Sequence, residues 1–478
     1  MSAPARVGPG GTGALRSRLD ALVPAAMARA GVPGVAVGVR IGPDEVAAGY
    51  GVTSVEHPLP VHGETLFQIG SVSKTFTATA VMALVERRQL SLDDPVVRHL
   101  PAFSLGARGV AERITVRHLL THTAGFAGDW FLVRPPGLGE GEDALARLVE
   151  RLAEVPQLFP PGAGWSYNNA GFSVAGRLVE VKTGQPYGAA LRALVLRPLK
   201  LDRTFVSADE AITHRIAAPH ASRESPPRVL RGAGWQPAWQ LARADVPIGG
   251  LISSVQDLLG WARFHLRDRV GVPAGAAAPL APATAASMQV PLAPAGCFAD
   301  HVGVAWMLRE VDGRRFVAHG GLTTGYATAF TLVPGAGLAV VVLTNATPGG
   351  TWLARDVTRA IVRETIGVDD VPPAPVPGLG GDGRDYAGRY DNPFALQEIT
   401  AGAARGELVL QHRAREPEPG RWAPPPPGPI RLAFHAPDRV VALGPPEMAG
   451  LAGEFGRDVD GRVAWLRWGG RLAPRVEA

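Results

Sequence analysis

The stretch 67–88 constrains the chain more than any other. Its approach is apolar and ends at Gly70, and from Ser71 onward Phe76, Ala80, Leu84 and Val85 recur at helical spacing. The pattern predicts a buried helix opened by Ser71. Lys74 then falls one turn further on, on the same face, where a hydroxyl and an amine three residues apart can meet. The chain has three lysines, Lys74, Lys182 and Lys200, so 45 of its 48 basic residues are arginine. An arginine does not give up its proton, whereas a lysine can serve as a base once burial or a nearby cation lowers its pKa. Ser71 and Lys74 are therefore a nucleophile beside a candidate base.

Two further boxes follow in order. Tyr167-Asn168-Asn169 offers a phenol and an amide two residues apart, ahead of a helical run over 170–183. His319-Gly320-Gly321 lies between two strand-like stretches, 315–318 and 326–333. With these boxes the chain resembles the serine β-lactamase and penicillin-binding-protein superfamily. Within it, the chain looks closest to the class C β-lactamase-like branch of esterases, D-aminopeptidases and acyltransferases, over about residues 20–365. The resemblance implies an α/β (α+β) fold, an antiparallel sheet flanked by helices.

Carried over residue by residue, it implies that Ser71 attacks an acyl group and Lys74 takes its proton. Tyr167 would relay protons to the leaving group, and Asn169 would hold the site and the substrate. His319 stands where the family's Lys-Thr-Gly box has its lysine, as a weaker, pH-dependent cation. The backbone N–H groups of Ser71 and Leu322 would form the oxyanion hole. Gly320 and Gly321 let a strand edge approach a substrate.

The remaining chain sorts into four segments: a flexible N-terminus over 1–14, the serine hydrolase domain over 15–367, a Pro/Gly linker over 368–384 and an all-β tail over 385–478. The opening predicts a helix over 15–30 and a hairpin over 34–41 and 46–53, joining a sheet whose last strands come from 303–345. His118 and His122 are four apart, a spacing that metal sites use, but no third ligand accompanies them, so they read as structural. Residues 128–141 are rich in Gly and Pro and read as a loop over the cleft, with Trp130 and Phe131 as candidate substrate contacts. Lys182-Thr183-Gly184 spells the family's third box but lies at a helix end, where Gly is an ordinary cap. Pro247-Ile248-Gly249-Gly250-Leu251 reads as a packing turn. Residues 268–297, rich in Ala, Pro and Gly, read as a loop. Strands are expected over 302–311, 315–318, 326–333 and 338–343, then a helix over 352–366. The tail alternates over 408–412, 431–435, 440–443, 450–456 and 463–468, and resembles the lipocalin-like small barrel of some D-aminopeptidases, esterases and peptide-cyclising relatives. A barrel bordering the cleft and a barrel facing away are both compatible with this pattern.

No run of about 18 apolar residues is present, so no membrane span is expected. The start of the chain lacks an apolar signal-peptide core, and a cytoplasmic location is expected. Cys297 is the only cysteine, so no intrachain disulfide forms. The net charge of +5 is spread without a basic block, which argues against nucleic acid. No metal and no cofactor is expected. The expected activity is cleavage or transfer of the acyl group of an ester or peptide-like amide through an acyl-Ser71 intermediate, with slow β-lactam turnover at most. Alternatives are a stand-alone peptide cyclase or transpeptidase of nonribosomal peptide assembly, fed by a carrier-protein-bound peptide, and a non-catalytic binder of acyl ligands.

Overall fold

The computed structural model describes residues 11–129, 141–223, 225–232, 239–267, 278–415 and 428–477. Helix Gly11–Ala30 turns Leu15, Leu19, Val23 and Ala26 inward and leads into strands Gly34–Ile41 and Asp44–Gly51. These join an eight-stranded antiparallel sheet. Its order is Asp44–Gly51, Gly34–Ile41, Leu338–Thr344, Tyr326–Val333, Arg314–Thr323, Met307–Val311, Ala299–Val302 and Ala293–Ala295. The register sets Val37 opposite Val342, so the two ends of the domain meet in one sheet as expected.

Alternation along the strands divides the interior into two layers. Val35, Val37, Val340 and Val342 face helices Gly11–Ala30 and Gly349–Ile366. Ala36, Val341 and Leu343 face the other way, with helix Val255–His265 and the buried helix that begins near Ser71. That helix, Ser73–Glu86, is buried over nearly its whole length although it contains three threonines. Their hydroxyls turn back on their own helix: Thr75 donates to the Val72 carbonyl at 2.7 Å and Thr79 to that of Thr75 at 2.8 Å. Polar side chains thus enter a dry layer with their bonds made, and Phe76 stacks on Trp261 at 3.9 Å.

Several expectations need correction. His319-Gly320-Gly321 lies inside strand Arg314–Thr323 rather than between strands, because the register with Tyr326–Val333 continues through Thr323. The stretch 302–311 is two strands, interrupted where Gly303 turns its amide to the Trp306 carbonyl. Residues 268–277 lie outside the described residues, but 278–297 hold helix Pro282–Ser287 and strand Ala293–Ala295, so this part is not a featureless loop. Pro at the first turn of that helix costs no hydrogen bond.

The tail is a closed barrel of eight antiparallel strands from Gly388–Asp391 to Arg471–Val476. Its interior is filled by Tyr390, Leu408, Leu410, Leu432, Phe434 and Leu466. Closure removes the free edges that an open eight-stranded sheet would expose. Five strands coincide with the alternating stretches; Gly388–Asp391, Ala395–Ala401 and Arg471–Val476 were not anticipated. No helix among the described residues is long and apolar enough to cross a membrane.

His265 gives this fold an acid weakness. Its ring is enclosed by Trp261, Phe264 and Trp306, and neither nitrogen has a hydrogen-bond partner. Burial pushes its pKa down to about 3, from 6.5 in a free chain. Below the higher value the unfolded chain binds a proton that the folded one refuses, so stability is full above about pH 6.5 and is lost as pH falls toward about 3. A melting series from about pH 7 to about pH 4 is expected to fall less steeply for His265→Phe than for the native protein. Equal slopes would show that His265 titrates freely in the fold.

Candidate active site

The helix bearing Lys74 is entered through a tight turn, Gly70–Val72, with the α-helix proper starting at Ser73. Gly70 has φ +53°, and a Cβ there would stand 2.6 Å from the Leu322 nitrogen, so only glycine fits. Ser73 pins the turn, donating to the Gly70 carbonyl at 2.7 Å and accepting from the Leu251 N–H at 3.1 Å. Ser71 is left half-buried at the head of the helix. Lys74 is fully buried. Its Nζ lies 3.0 Å from Ser71 Oγ and donates to the Ile248 carbonyl at 2.6 Å. Burial holds the Lys74 pKa well below that of an ordinary lysine, Asp129 opposes this, and Arg471 adds to it. The turn over 247–251, expected only to pack, therefore also orients the amine.

Helix Asn169–Thr183 is capped by Asn168, whose side chain accepts from the Gly171 N–H at 2.8 Å and donates to the Phe126 carbonyl at 2.9 Å. Capping by Asn168 frees Asn169 to turn into the site, where its amide bonds Asp129. Tyr167 is buried beside Lys74, whose Nζ is 5.1 Å from the ring centre. Burial raises the phenol pKa, and a hydrogen bond with Ser71 opposes the rise. His122 stacks on the Tyr167 ring at 4.3 Å, and its Nδ1 accepts from the Asn168 N–H at 3.0 Å. His118 has a separate role: its Nδ1 accepts from the Thr115 N–H in a capping box. The two histidines thus serve different neighbours, and no cluster of metal-ligating side chains occurs among the described residues.

Strand Arg314–Thr323 brings in the third box. Its first half pairs on both sides, but past Ala318 its register with Met307–Val311 has ended. The His319–Leu322 edge is thereby left open toward Ser71. Gly321 makes the approach possible, since a Cβ there would stand 1.9 Å from the Ile69 carbonyl oxygen. Gly321→Ala is expected to push the strand off the Ser71 turn, with at least about a hundredfold loss in kcat, the scale of one lost oxyanion donor. Loss of folding without loss of specific activity would point to packing alone.

The surroundings of His319 disfavour the cation expected of it. Its Nδ1 lies 2.6 Å from the Gly320 carbonyl, and burial, assisted by Lys74, pushes its pKa down to about 3. Both effects favour the uncharged imidazole.

The barrel borders this cleft, the alternative that the sequence left open. Its Gly469–Gly470 turn lets the Gly470 carbonyl accept from the Tyr167 N–H at 2.8 Å, and the Leu472 N–H donates to Ser166 at 3.1 Å. Between them Arg471 reaches Asp129, Nε to Oδ2 2.5 Å, over the Tyr167 ring at 5.2 Å.

Ser71, Lys74, Tyr167, Asn169, His319 and the Leu322 backbone are thus brought together, with Gly320 and Gly321 beside them. Trp130, Phe131 and most of the loop 128–141 lie outside the described residues. Sequence reasoning missed Asp129, Arg471, His122 as the support of Tyr167, and the Ile248 carbonyl. The Gly469-Gly470 pair ahead of Arg471 signalled a turn, but nothing local said where the turn would dock.

The Beta-lactamase family profile matches residues 19–363. Penicillin-binding protein 4 of Amycolatopsis lactamdurans is 35% identical over 348 residues, 70% of this chain and 87% of that protein. Esterase EstB of Burkholderia gladioli is 39% identical over 46% of this chain and 58% of its own length. A crystal structure of SurE with D-Leu superposes with a TM-score of 0.69 at 27% identity, covering 97% of this chain and all of SurE. A D-amino acid amidase from Ochrobactrum anthropi shares the fold, with a TM-score of 0.58 at 22% identity over 74% of this chain and 98% of its own. The chain belongs to the beta-lactamase family and is a serine hydrolase-type enzyme.

Proposed function

We propose that the protein is a serine acyl enzyme that takes the acyl group of an ester or peptide-like amide onto Ser71 and passes it to water or an amine. One observation carries the reading: a fully buried Lys74 amine, 3.0 Å from the Ser71 hydroxyl, held by a carbonyl rather than by a carboxylate. Burial favours the uncharged form of this amine, and in that form it is a base poised on a nucleophile. Lys74 takes the Ser71 proton as Oγ attacks the acyl carbon. The Ser71 and Leu322 N–H groups hold the oxyanion. Tyr167, kept protonated by burial, delivers a proton to the leaving group, and the incoming water or amine reverses these transfers. Asn169 and the neutral His319 hold and shape the site.

A more specific reading has support in the neighbours. SurE was crystallised with D-Leu, and the amidase is named for D-amino acids. We infer a substrate with a D-configured residue at the reacting end, either free or as a peptide on a carrier protein, and cyclisation when the accepting amine belongs to the same peptide.

Activated esters of D- and L-amino acids, incubated with and without added amine, test both statements. Faster acylation by the D series and amide product at the expense of acid are expected. Preference for L esters would sink the D assignment, and acid alone at high amine would leave a hydrolase. With His319 neutral, the strand offers no charge for a β-lactam carboxylate, so β-lactam kcat/KM is expected far below the diffusional ceiling of about 10⁸ M⁻¹s⁻¹. A value near that ceiling would contradict the account.

A further inference from the structure

Among the described residues the barrel brings the charged side chain of Arg471 to the cleft, where a carboxylate pairs with it. Asp129 is almost fully buried, only 5% exposed. One of its oxygens is taken by Asn169 and the other by Arg471. Arg471 itself is three-quarters buried, clamped between the Tyr167 and Phe394 rings with centroids at 5.2 and 4.7 Å, and Nη1 donates to the Gly469 carbonyl at 3.2 Å. This position is held from both sides, because the residues flanking Arg471 are bonded to Tyr167 and Ser166 through the backbone.

We propose that Arg471 is a positioning residue for acyl transfer: by pairing with Asp129 across the barrel–cleft boundary, it cancels the carboxylate that would otherwise draw a proton onto Lys74. The inference rests on Lys74 as the base. It makes the barrel part of the catalytic machinery rather than an appendage, since the base is tuned by a residue some 400 positions away in the chain.

Among the described residues the groups that face Lys74 are few. Ser71 and the Ile248 carbonyl bond it. Tyr167 and Phe172 present ring faces, at 5.1 and 5.8 Å from Nζ. His122 and His319 are both held neutral by burial. Asp129 and Asp245 draw a proton toward the amine, Asp129 more strongly, and Arg471 repels it. Removing the guanidinium therefore leaves an uncompensated carboxylate, Asp129, near a buried amine, which favours the ammonium form. Removing the carboxylate instead leaves the guanidinium alone and disfavours it.

The test is the pH dependence of Ser71 acylation by an activated ester, in the full-length protein. Arg471→Gln is expected to shift the acid limb to higher pH, with acylation about tenfold or more below native at neutral pH and recovery in alkali. Arg471→Lys keeps the charge and is expected to leave the limb close to native. Asp129→Asn is expected to move the limb the opposite way, to lower pH. A uniform loss at every pH in Arg471→Gln would overturn the proposal in favour of simple anchoring. If that variant fails to fold, Asp129→Asn decides alone, and an unmoved limb there overturns it. Lys74→Met separates the two levels: acylation retained with the native limb would refute Lys74 as base, whereas a dead Lys74→Met with unmoved limbs in the other variants refutes only the role of Arg471.

Discussion

Ser71→Ala is expected to lower turnover of an activated ester by about four orders of magnitude or more, because the residual oxyanion donors and binding contacts cannot replace a covalent route. The fold should hardly notice. Ser71 is half-buried at the head of its helix, and Lys74 keeps its bond to the Ile248 carbonyl after the hydroxyl is gone. The stability change should stay within about 1 kcal/mol, the net worth of one hydrogen bond. Thermal melting beside steady-state kinetics reads both quantities. Native-like turnover on a well-folded variant would mean that another group carries the acyl chain.

Lys74 substitutions should be nearly as severe, and two are needed. Lys74→Arg keeps a positive charge but introduces a group that does not deprotonate, in a site with 0% exposure. That variant also buries a permanent cation at a cost in stability, so its activity is read beside a folding control such as circular dichroism. Lys74→Met fills nearly the same volume, carries no charge and removes the base. Both are expected to lose about a thousandfold or more in acylation, the combined scale of a general base and an activated nucleophile. Lys74→Met is expected to melt no lower than the native protein, because the buried amine it replaces gains little beyond its two bonds. Acylation in Lys74→Met within about tenfold of native would move the role of base to Tyr167.

The parts of this architecture that were legible in the sequence share a physical property: each is set by a local pattern. The 3.6-residue period placed the helix behind Ser71, and Gly184, in the left-handed conformation at φ 65°, ended the helix at Lys182-Thr183 as a cap rather than a catalytic strand. Strands 326–333 and 463–468 were bounded by turns and matched Tyr326–Val333 and Val463–Trp468. What escaped depended on partners far away in the chain. Whether His319 is charged is decided by how deeply the strand edge sinks beside Lys74, which no four-residue motif encodes. Ile248 acts through a backbone oxygen, for which side-chain identity carries no signal. Arg471 lies in a barrel strand whose Arg-Leu-Ala-Pro-Arg-Val pattern is interrupted by Pro474, and its partner Asp129 is 342 residues away.

The most direct measurement is the intact mass of the protein after incubation with a fluorophosphonate or an activated short-chain ester, beside Ser71→Ala. One adduct per chain is expected on the native protein and none on the variant, with the ester adduct chased off by water or by amine. Equal labelling of both proteins, or no adduct on well-folded native protein, would contradict an acyl enzyme at Ser71.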